Sequence, residues 1–265
     1  GKVFWWKDFP ADGKGDGGRV AEHTRGDYPA ASLYSGGTTG TTKGTLLTNL
    51  NFNALAMQTY TGADCITDGD SMLALMPIFH GFGLGICIHT VLVVGARCIL
   101  VPQFTPKTYA GLLKKHRPNI IAGVPTLFEA LLRIEGIEKL DLSCLKGVFS
   151  GGDSLSIELK RKVDAFLHQC GAQIQVREGY GTTESVTASC LTPKDFHKEG
   201  SIGIPFPDCL FKIVTPSTHD EVPYGEAGDI CMAGPALLKG DGNNPRETAM
   251  TPPQHKARPP RRHTG

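Results

Sequence analysis

Cys98-Ile99-Leu100-Val101, then the amphipathic segment Pro106 to His116, then Ile120-Ile121-Ala122-Gly123 decide how this chain folds. Two short apolar runs on either side of a helical pattern read as strand, helix, strand, and a helix between two strands forces them to pair in parallel. The same alternation extends in both directions. Upstream lie a strand Ala31 to Tyr34, a helix from about Thr48 to Tyr60, a strand Met72 to Met76 and a helix near Gly83 to Val94. Downstream follow a helix Pro125 to Ile134, a strand Gly147 to Phe149, a helix Ile157 to Cys170 and a strand Ile174 to Arg177. Short connections and repeated crossovers predict an α/β fold with a doubly wound, mostly parallel sheet and flanking helices.

Beyond Glu184 the pattern changes to strand-like segments, Val186 to Leu191, Leu210 to Val214 and Asp229 to Ala233, separated by Pro and Gly turns. These predict a small antiparallel β subdomain. The expected organisation is an N-terminal loop segment over 1–30, an α/β core for nucleotide and acyl group over 31–186, a small β subdomain over 187–240, and an irregular basic tail over 241–265. The prolines from Pro252 to Pro260 preclude regular structure in that tail.

With 265 residues, 40% of them apolar, the chain can bury a sizeable core. Eight cysteines without a CxxC pair suit reduced, buried thiols better than a disulfide framework or zinc site, and place the protein in the cytoplasm. The apolar stretch Phe82 to Val101 contains His89, Arg97 and interior glycines, so a buried helix and strand are expected there and no transmembrane segment. The net charge is +1, but Lys256, Arg258, Arg261 and Arg262 all lie in the last fifteen residues, and the remainder carries 23 basic and 26 acidic side chains. Such a body is not a nucleic-acid binder by charge.

Chemistry enters at Ser35-Gly36-Gly37-Thr38-Thr39-Gly40-Thr41-Thr42-Lys43-Gly44. Glycines admit backbone N–H groups to phosphate oxygens, hydroxyls add donors, and Lys43 adds charge. Lys43 stands between Thr42 and Gly44, so the Walker spacing fails. Composition alone leaves an anion cradle and a solvated Gly/Thr loop equally open. A second segment, Glu178-Gly179-Tyr180-Gly181-Thr182-Thr183-Glu184-Ser185, follows a strand at the end where doubly wound sheets bind ligands. Tyr180 offers a flat face to a purine, and Glu184 an oxygen to Mg²⁺.

These two ordered motifs resemble those of the adenylate-forming, AMP-binding superfamily, closest to bacterial fatty acyl-CoA synthetases of the long-chain-fatty-acid–CoA ligase type. In that family the loop ends in Pro-Lys-Gly, and here Thr42 takes the proline's place. The resemblance implies ATP, Mg²⁺ and coenzyme A, with a carboxylic acid, expected to be a fatty acid, activated to acyl-AMP and passed to the thiol. It assigns nucleotide contacts to Ser35, Gly36, Gly37, Thr38, Thr39, Gly40, Lys43, Tyr180, Gly181, Thr182 and Thr183, and the metal to Glu184. Lys43, Thr183, Glu184 and His80 are the expected catalytic residues.

Pro77-Ile78-Phe79-His80-Gly81-Phe82-Gly83 resembles the segment bordering the family's acyl pocket, with His80 as a positional gate. Ser150-Gly151-Gly152-Asp153-Ser154 resembles the loop along the adenine, which brings in Gly151, Gly152 and Asp153; its bland reading is a helix cap by Asp153 or Ser154. The family's ribose-binding aspartate follows a Thr-Gly pair, here matched by Thr264-Gly265, and its hinge and C-terminal domain lie beyond this sequence. The chain is therefore expected to bind nucleotide weakly and to turn over slowly, as a truncated large domain. The competing readings are a catalytically incomplete nucleotide-binding fragment, and adenylation of an aryl or amino acid. Oligomeric state is not legible.

Overall fold

The computed structural model describes residues 24–36, 42–101, 105–196, 198–216, 218 and 220–238. Its centre is a seven-stranded sheet formed by β3 (Ser71–Ala74), β4 (Arg97–Leu100), β5 (Ile120–Gly123), β6 (Gly147–Ser150), β7 (Val176–Tyr180), β8 (Cys190–Leu191) and β9 (Ile204–Pro205), in the spatial order 4-3-5-6-7-8-9. The first five run parallel, and β8 and β9 continue the edge antiparallel. Strands β3, β5 and β6 are buried throughout, as strands covered on both faces must be.

The winding reverses beside β3. The chain leaves β3 for β4 through a helix over Phe82–Thr90 (α2), which runs on into Val91–Val93, and returns past β3 to β5 through α3 (Pro106–His116). Right-handed crossovers in opposite directions must lie on opposite faces, and the side chains sort accordingly. Met72, Ala74, Ile120, Ala122 and Phe149 pack with Phe52 and Leu55 of α1 (Asn49–Ala63) and with Ile86 and Val91. Their strand neighbours Leu73, Ile121 and Val148 pack on the other face with Tyr109 and Leu113 of α3, Phe128 and Leu131 of α4 (Pro125–Leu132), and Val163 and Phe166 of α5 (Ile157–Gln169). The period-two alternation of each strand thus builds two cores, one per face.

Local chemistry sets the helix ends. Thr48 and Asn51 cap α1 reciprocally, and Thr105 and Thr108 do the same for α3, whose first residue is Pro106. At the far end of α1, buried Arg177 donates to the carbonyls of Gly62, Ala63 and Thr192 while its guanidinium lies 5.5 Å over the Phe149 ring.

The structure corrects several expectations. Ala31 to Tyr34 forms a strand and buries Leu33 in the first core, but not within the central sheet: it lies in β1 (Pro29–Gly36), which pairs with β2 (Thr42–Thr48), and Tyr34 is 63% exposed. β2 has no signal of its own, since its threonines and glycine continue the composition of the preceding loop. The helix near Gly83 to Val94 forms with wide π-type turns over Phe82–Thr90, and the Thr90 hydroxyl donates to the Gly85 carbonyl five residues back. Residues 190–191 and 204–205 extend the main sheet, leaving β10 (Leu210–Val214) and β11 (Asp229–Ala233) as the small antiparallel hairpin, both with the bounds expected. The cap of α5 is Ser156, not Asp153 or Ser154. Residues 1–23 and 239–265, which include the basic tail, lie outside the described residues. The eight cysteines are free thiols, with Cys87, Cys170 and Cys190 buried, and no described helix is long and apolar enough to cross a membrane.

Phe128 is 1% exposed at the centre of the second core. Phe128→Ala is expected to lower the unfolding free energy by about 3–5 kcal/mol, read from the midpoint shift in urea at unchanged slope.

Candidate active site

The carboxyl ends of β3, β6 and β7 open on one cavity of about 180 Å³. His80 follows β3, Ser150, Gly151 and Gly152 end and follow β6, and Gly181, Thr182 and Thr183 follow β7; all seven contribute to its wall. Deeper, the wall is apolar, formed by Met72, Ile120 and Phe149 from the sheet and by Ile66, Ile86 and Phe206 from the covering elements. This is the position at which open α/β sheets bind ligands.

Glycines bring the loops together. A Cβ on Gly81 would collide with the Val186 carbonyl, and one on Gly181 with the Thr187 carbonyl. The loop carrying His80 therefore lies backbone against backbone on the loop that follows Thr183–Ser185, a single 3₁₀ turn. That second loop is closed by Thr187 N–H donating to Ser185 C=O at 2.7 Å across Val186, whose φ is +63°. With ψ at −55° this is a γ-turn, a rare conformation for a β-branched residue that holds of order 1–3 kcal/mol of strain, and the buried setting of Val186 is what maintains it.

His80 is exposed at the cavity mouth, and its Nδ1 accepts the Phe82 N–H at 3.0 Å. The proton of the neutral ring therefore sits on Nε2, a donor for a ligand oxygen. Partial desolvation against the cavity wall holds the His80 pKa below the ordinary imidazole value. On β7, burial pushes the Glu178 carboxyl up, partly offset by the Leu155 N–H donated to it at 3.2 Å. His89 is structural: its Nε2 meets Asn53 Oδ1 at 3.0 Å and its ring stands edge-on to Phe52.

Three hydroxyls mark the cavity as polar in places. The Oγ atoms of Thr59, Ser150 and Thr182 belong to wall residues, are buried, and have no hydrogen-bond partner among the described residues. Buried polar atoms are satisfied in the great majority of cases, so three orphans around one cavity point to a ligand that completes them.

Of the expected site residues, the structure brings His80, Gly151, Gly152, Gly181, Thr182 and Thr183 onto one wall. Asp153 is exposed and off it; Tyr180 and Glu184 are half-buried beside it. Gly37, Thr38, Thr39 and Gly40 lie outside the described residues. Ser35 and Gly36 end β1, and Ser35 pairs through its backbone with Lys43 of β2; the side chains of these three are outside the described part. Both strands nevertheless come within 8 Å of Thr183–Ser185, Cα to Cα, so the two glycine-rich motifs converge from opposite halves of the sequence. Sequence reasoning missed Thr59, Ile66 and Phe206. Thr59 sits inside a helical pattern with nothing to distinguish it, and the other two are single apolar residues in loops.

Among the described residues no three His, Cys, Asp or Glu side chains gather into a metal site. A magnesium ion that arrives on nucleotide phosphates needs only one or two carboxylates, and Glu184, next to wall residue Thr183, fits that donor set.

Comparison with known proteins agrees with this geometry. The family model described as AMP-binding enzyme matches residues 4–240. A probable 4-coumarate–CoA ligase 1 of Dictyostelium discoideum is 32% identical over 233 residues, covering 84% of this chain and 42% of its own length. A long-chain-fatty-acid–CoA ligase of Bacillus subtilis (strain 168) is 34% identical over 225 residues, covering 83% and 39%. Among solved structures, ATP-bound MatB from Rhodopseudomonas palustris superposes with a TM-score of 0.76 at 27% identity, over 86% of this chain and 44% of that one. The chain thus spans about two fifths of the length of the curated relatives it matches.

Two outcomes test the site. Gly81→Ala forces apart two buried backbones and is expected to destabilise the fold by about 1–3 kcal/mol in urea, whereas an unchanged midpoint contradicts the close approach. The imidazole of His80, followed by NMR, is expected to titrate below 6.5. Because the native ring resists the proton that the unfolded chain accepts, stability falls as pH drops through 6.5 towards that lower value. A midpoint at or above 6.5 contradicts the partly desolvated, Nδ1-accepting arrangement.

Proposed function

Because the chain belongs to the AMP-binding enzyme family, we propose that it activates a carboxylic acid with ATP, as the large-domain part of an acid–thiol ligase that forms acyl-CoA. The observation that carries this reading is the glycine-lined cavity mouth with the unsatisfied hydroxyls of Ser150 and Thr182 at the carboxyl ends of β6 and β7. A carboxylate oxygen attacks the α-phosphorus, the bond to the bridging oxygen breaks, and pyrophosphate leaves. Coenzyme A thiol then attacks the acyl carbonyl and AMP leaves.

Both steps gather negative charge on oxygen, and preorganised donors stabilise it. The Ser35 to Lys43 segment supplies backbone N–H groups, the hydroxyls of Thr38 and Thr39, and the Lys43 cation to the departing phosphates. Thr183 contacts the α-phosphate. Tyr180, Gly151 and Gly152 border the adenine. His80 stands between the acyl group and the thiol and donates from Nε2, holding the acyl oxygen rather than abstracting a proton. Mg²⁺, when bound, would neutralise phosphate charge, and Glu184 would hold it. The apolar inner wall supports an apolar acid, the class that includes the fatty acids expected above. The proposed setting is the cytoplasm.

The magnesium assignment is tested by calorimetric titration of the chain with ATP. Magnesium is expected to tighten ATP binding to the unaltered chain but not to Glu184→Gln, while a nonhydrolysable acyl-adenylate analogue, which brings no polyphosphate, binds both within about twofold. Equal magnesium enhancement in the two proteins refutes the role given to Glu184.

A further inference from the structure

A second cavity, of about 580 Å³, lies at the amino ends of β6 and β7, the end of the sheet opposite to the mouth described above. The end of α1 and the loop after it form one side. Lys146 and Ile174, which precede the two strands, form another, and Lys194, beyond β8, closes a third. We propose that this notch is a second ligand site, and that it takes a small organic anion with a carboxylate or phosphate at one end and an apolar body at the other. The proposal stands apart from the acid-activating reading, since no part of it uses the carboxyl-end cavity.

The wall has more donors than acceptors. An ammonium carries three N–H groups and accepts nothing. Lys194 donates one to the Asp64 carbonyl at 3.2 Å, and no described carboxylate lies within ion-pair distance of it. Lys146 donates two, to Asp70 Oδ1 at 2.7 Å and to Thr67 Oγ1 at 3.2 Å. Asp70 is 6% exposed, and its other oxygen accepts the N–H and the hydroxyl of Thr67, so its charge is held behind Lys146 and away from the cavity. Asp64 is then the only carboxylate among the described wall residues, against two ammoniums with N–H groups to spare. An oxyanion completes such a set.

The apolar body rests on Ile66, from the first core, on Ile174, which packs on the second, and on the ring of Tyr60, 42% exposed. The walls are fixed before a ligand arrives. Arg177 holds the carbonyls of Gly62 and Ala63, Lys194 that of Asp64, and Asp70 the N–H of Thr67, so the backbone is pinned on both sides of Ile66. A Cβ on Gly147 would lie 2.7 Å from the Cys65 sulfur, so the loop also sits directly on the start of β6. Preformed walls keep the ordering cost of binding small. Ile66 belongs to the wall of both cavities, so an occupant of the notch braces the carboxyl-end cavity from behind.

The test titrates the chain calorimetrically with octyl phosphate, octanoate, octylammonium and inorganic phosphate, and locates binding by amide hydrogen exchange. At least one of the two octyl anions is expected to bind and to slow exchange at 60–67 and 145–147, and the tighter of the two identifies the head group as phosphate or carboxylate. Octylammonium, with the charge reversed, and inorganic phosphate, without the apolar body, are expected to bind more weakly than that anion. Lys194→Gln is expected to weaken it about three- to tenfold, the loss of one charge-assisted hydrogen bond at an exposed site, with the urea midpoint unchanged, and Lys194→Arg to restore it. Binding of neither octyl anion, octylammonium or inorganic phosphate binding as tightly, unchanged affinity in Lys194→Gln, or protection confined to 150–152 and 180–188 overturns the proposal. None of these outcomes bears on the acid-activating reading, which the ATP titration tests separately.

Discussion

The Arg177 guanidinium is the contact on which the site's shape depends. It is buried, desolvation works against its charge, and no described carboxylate lies within ion-pair distance. What holds it is a set of carbonyls, two of them from the last residues of α1, where the unpaired C=O groups of a helix concentrate negative potential. The third is Thr192 C=O, at 2.7 Å, immediately after β8. One side chain thus fixes the end of α1 against the edge of the sheet and lies over Phe149, so the helix that covers the cavity and the strand that floors it cannot shift independently.

From that anchor the functional end follows by geometry. Parallel strands send all their carboxyl ends to one side, and reversal of the winding at β3 leaves a crevice there. Two glycines, Gly81 and Gly181, then let the loops after β3 and β7 lie against each other more closely than side chains allow. The strained turn at Val186 lies within that packing, whereas the tautomer of His80 is fixed locally, its Nδ1 facing the N–H of Phe82 two residues along.

Where the sequence was legible, a periodic signal coincided with a single structural answer. The strands of the parallel sheet and the helices on both faces follow from apolar runs alternating with amphipathic ones, and β10 and β11 from turn residues on either side of strand-like segments. Of the glycine-rich motifs, 150–152 and 181–183 lie on the cavity wall. Legibility failed where burial depends on a distant partner. β2 looks like loop because its threonines are held by pairing with β1, and Val186 looks like the start of a strand because its φ is imposed by packing against Gly81. Asp153 occupies a capping position in the sequence, yet Ser156 makes the bond, because Gly152 at φ +78° turns the chain before the helix begins. Thr59 and Phe206 are 147 residues apart in the sequence, and only the fold places them on one wall.

The central claim is that the cavity at the ends of β3, β6 and β7 holds the acyl-adenylate. Amide hydrogen exchange of the chain with and without a saturating nonhydrolysable acyl-adenylate analogue tests it most directly, because it reports position as well as binding. The account predicts slowed exchange at 150–152, 80–86 and 180–188, with little change in α3 and α5 on the opposite face. Protection confined to that opposite face, or none at these three segments when the analogue is bound, contradicts it.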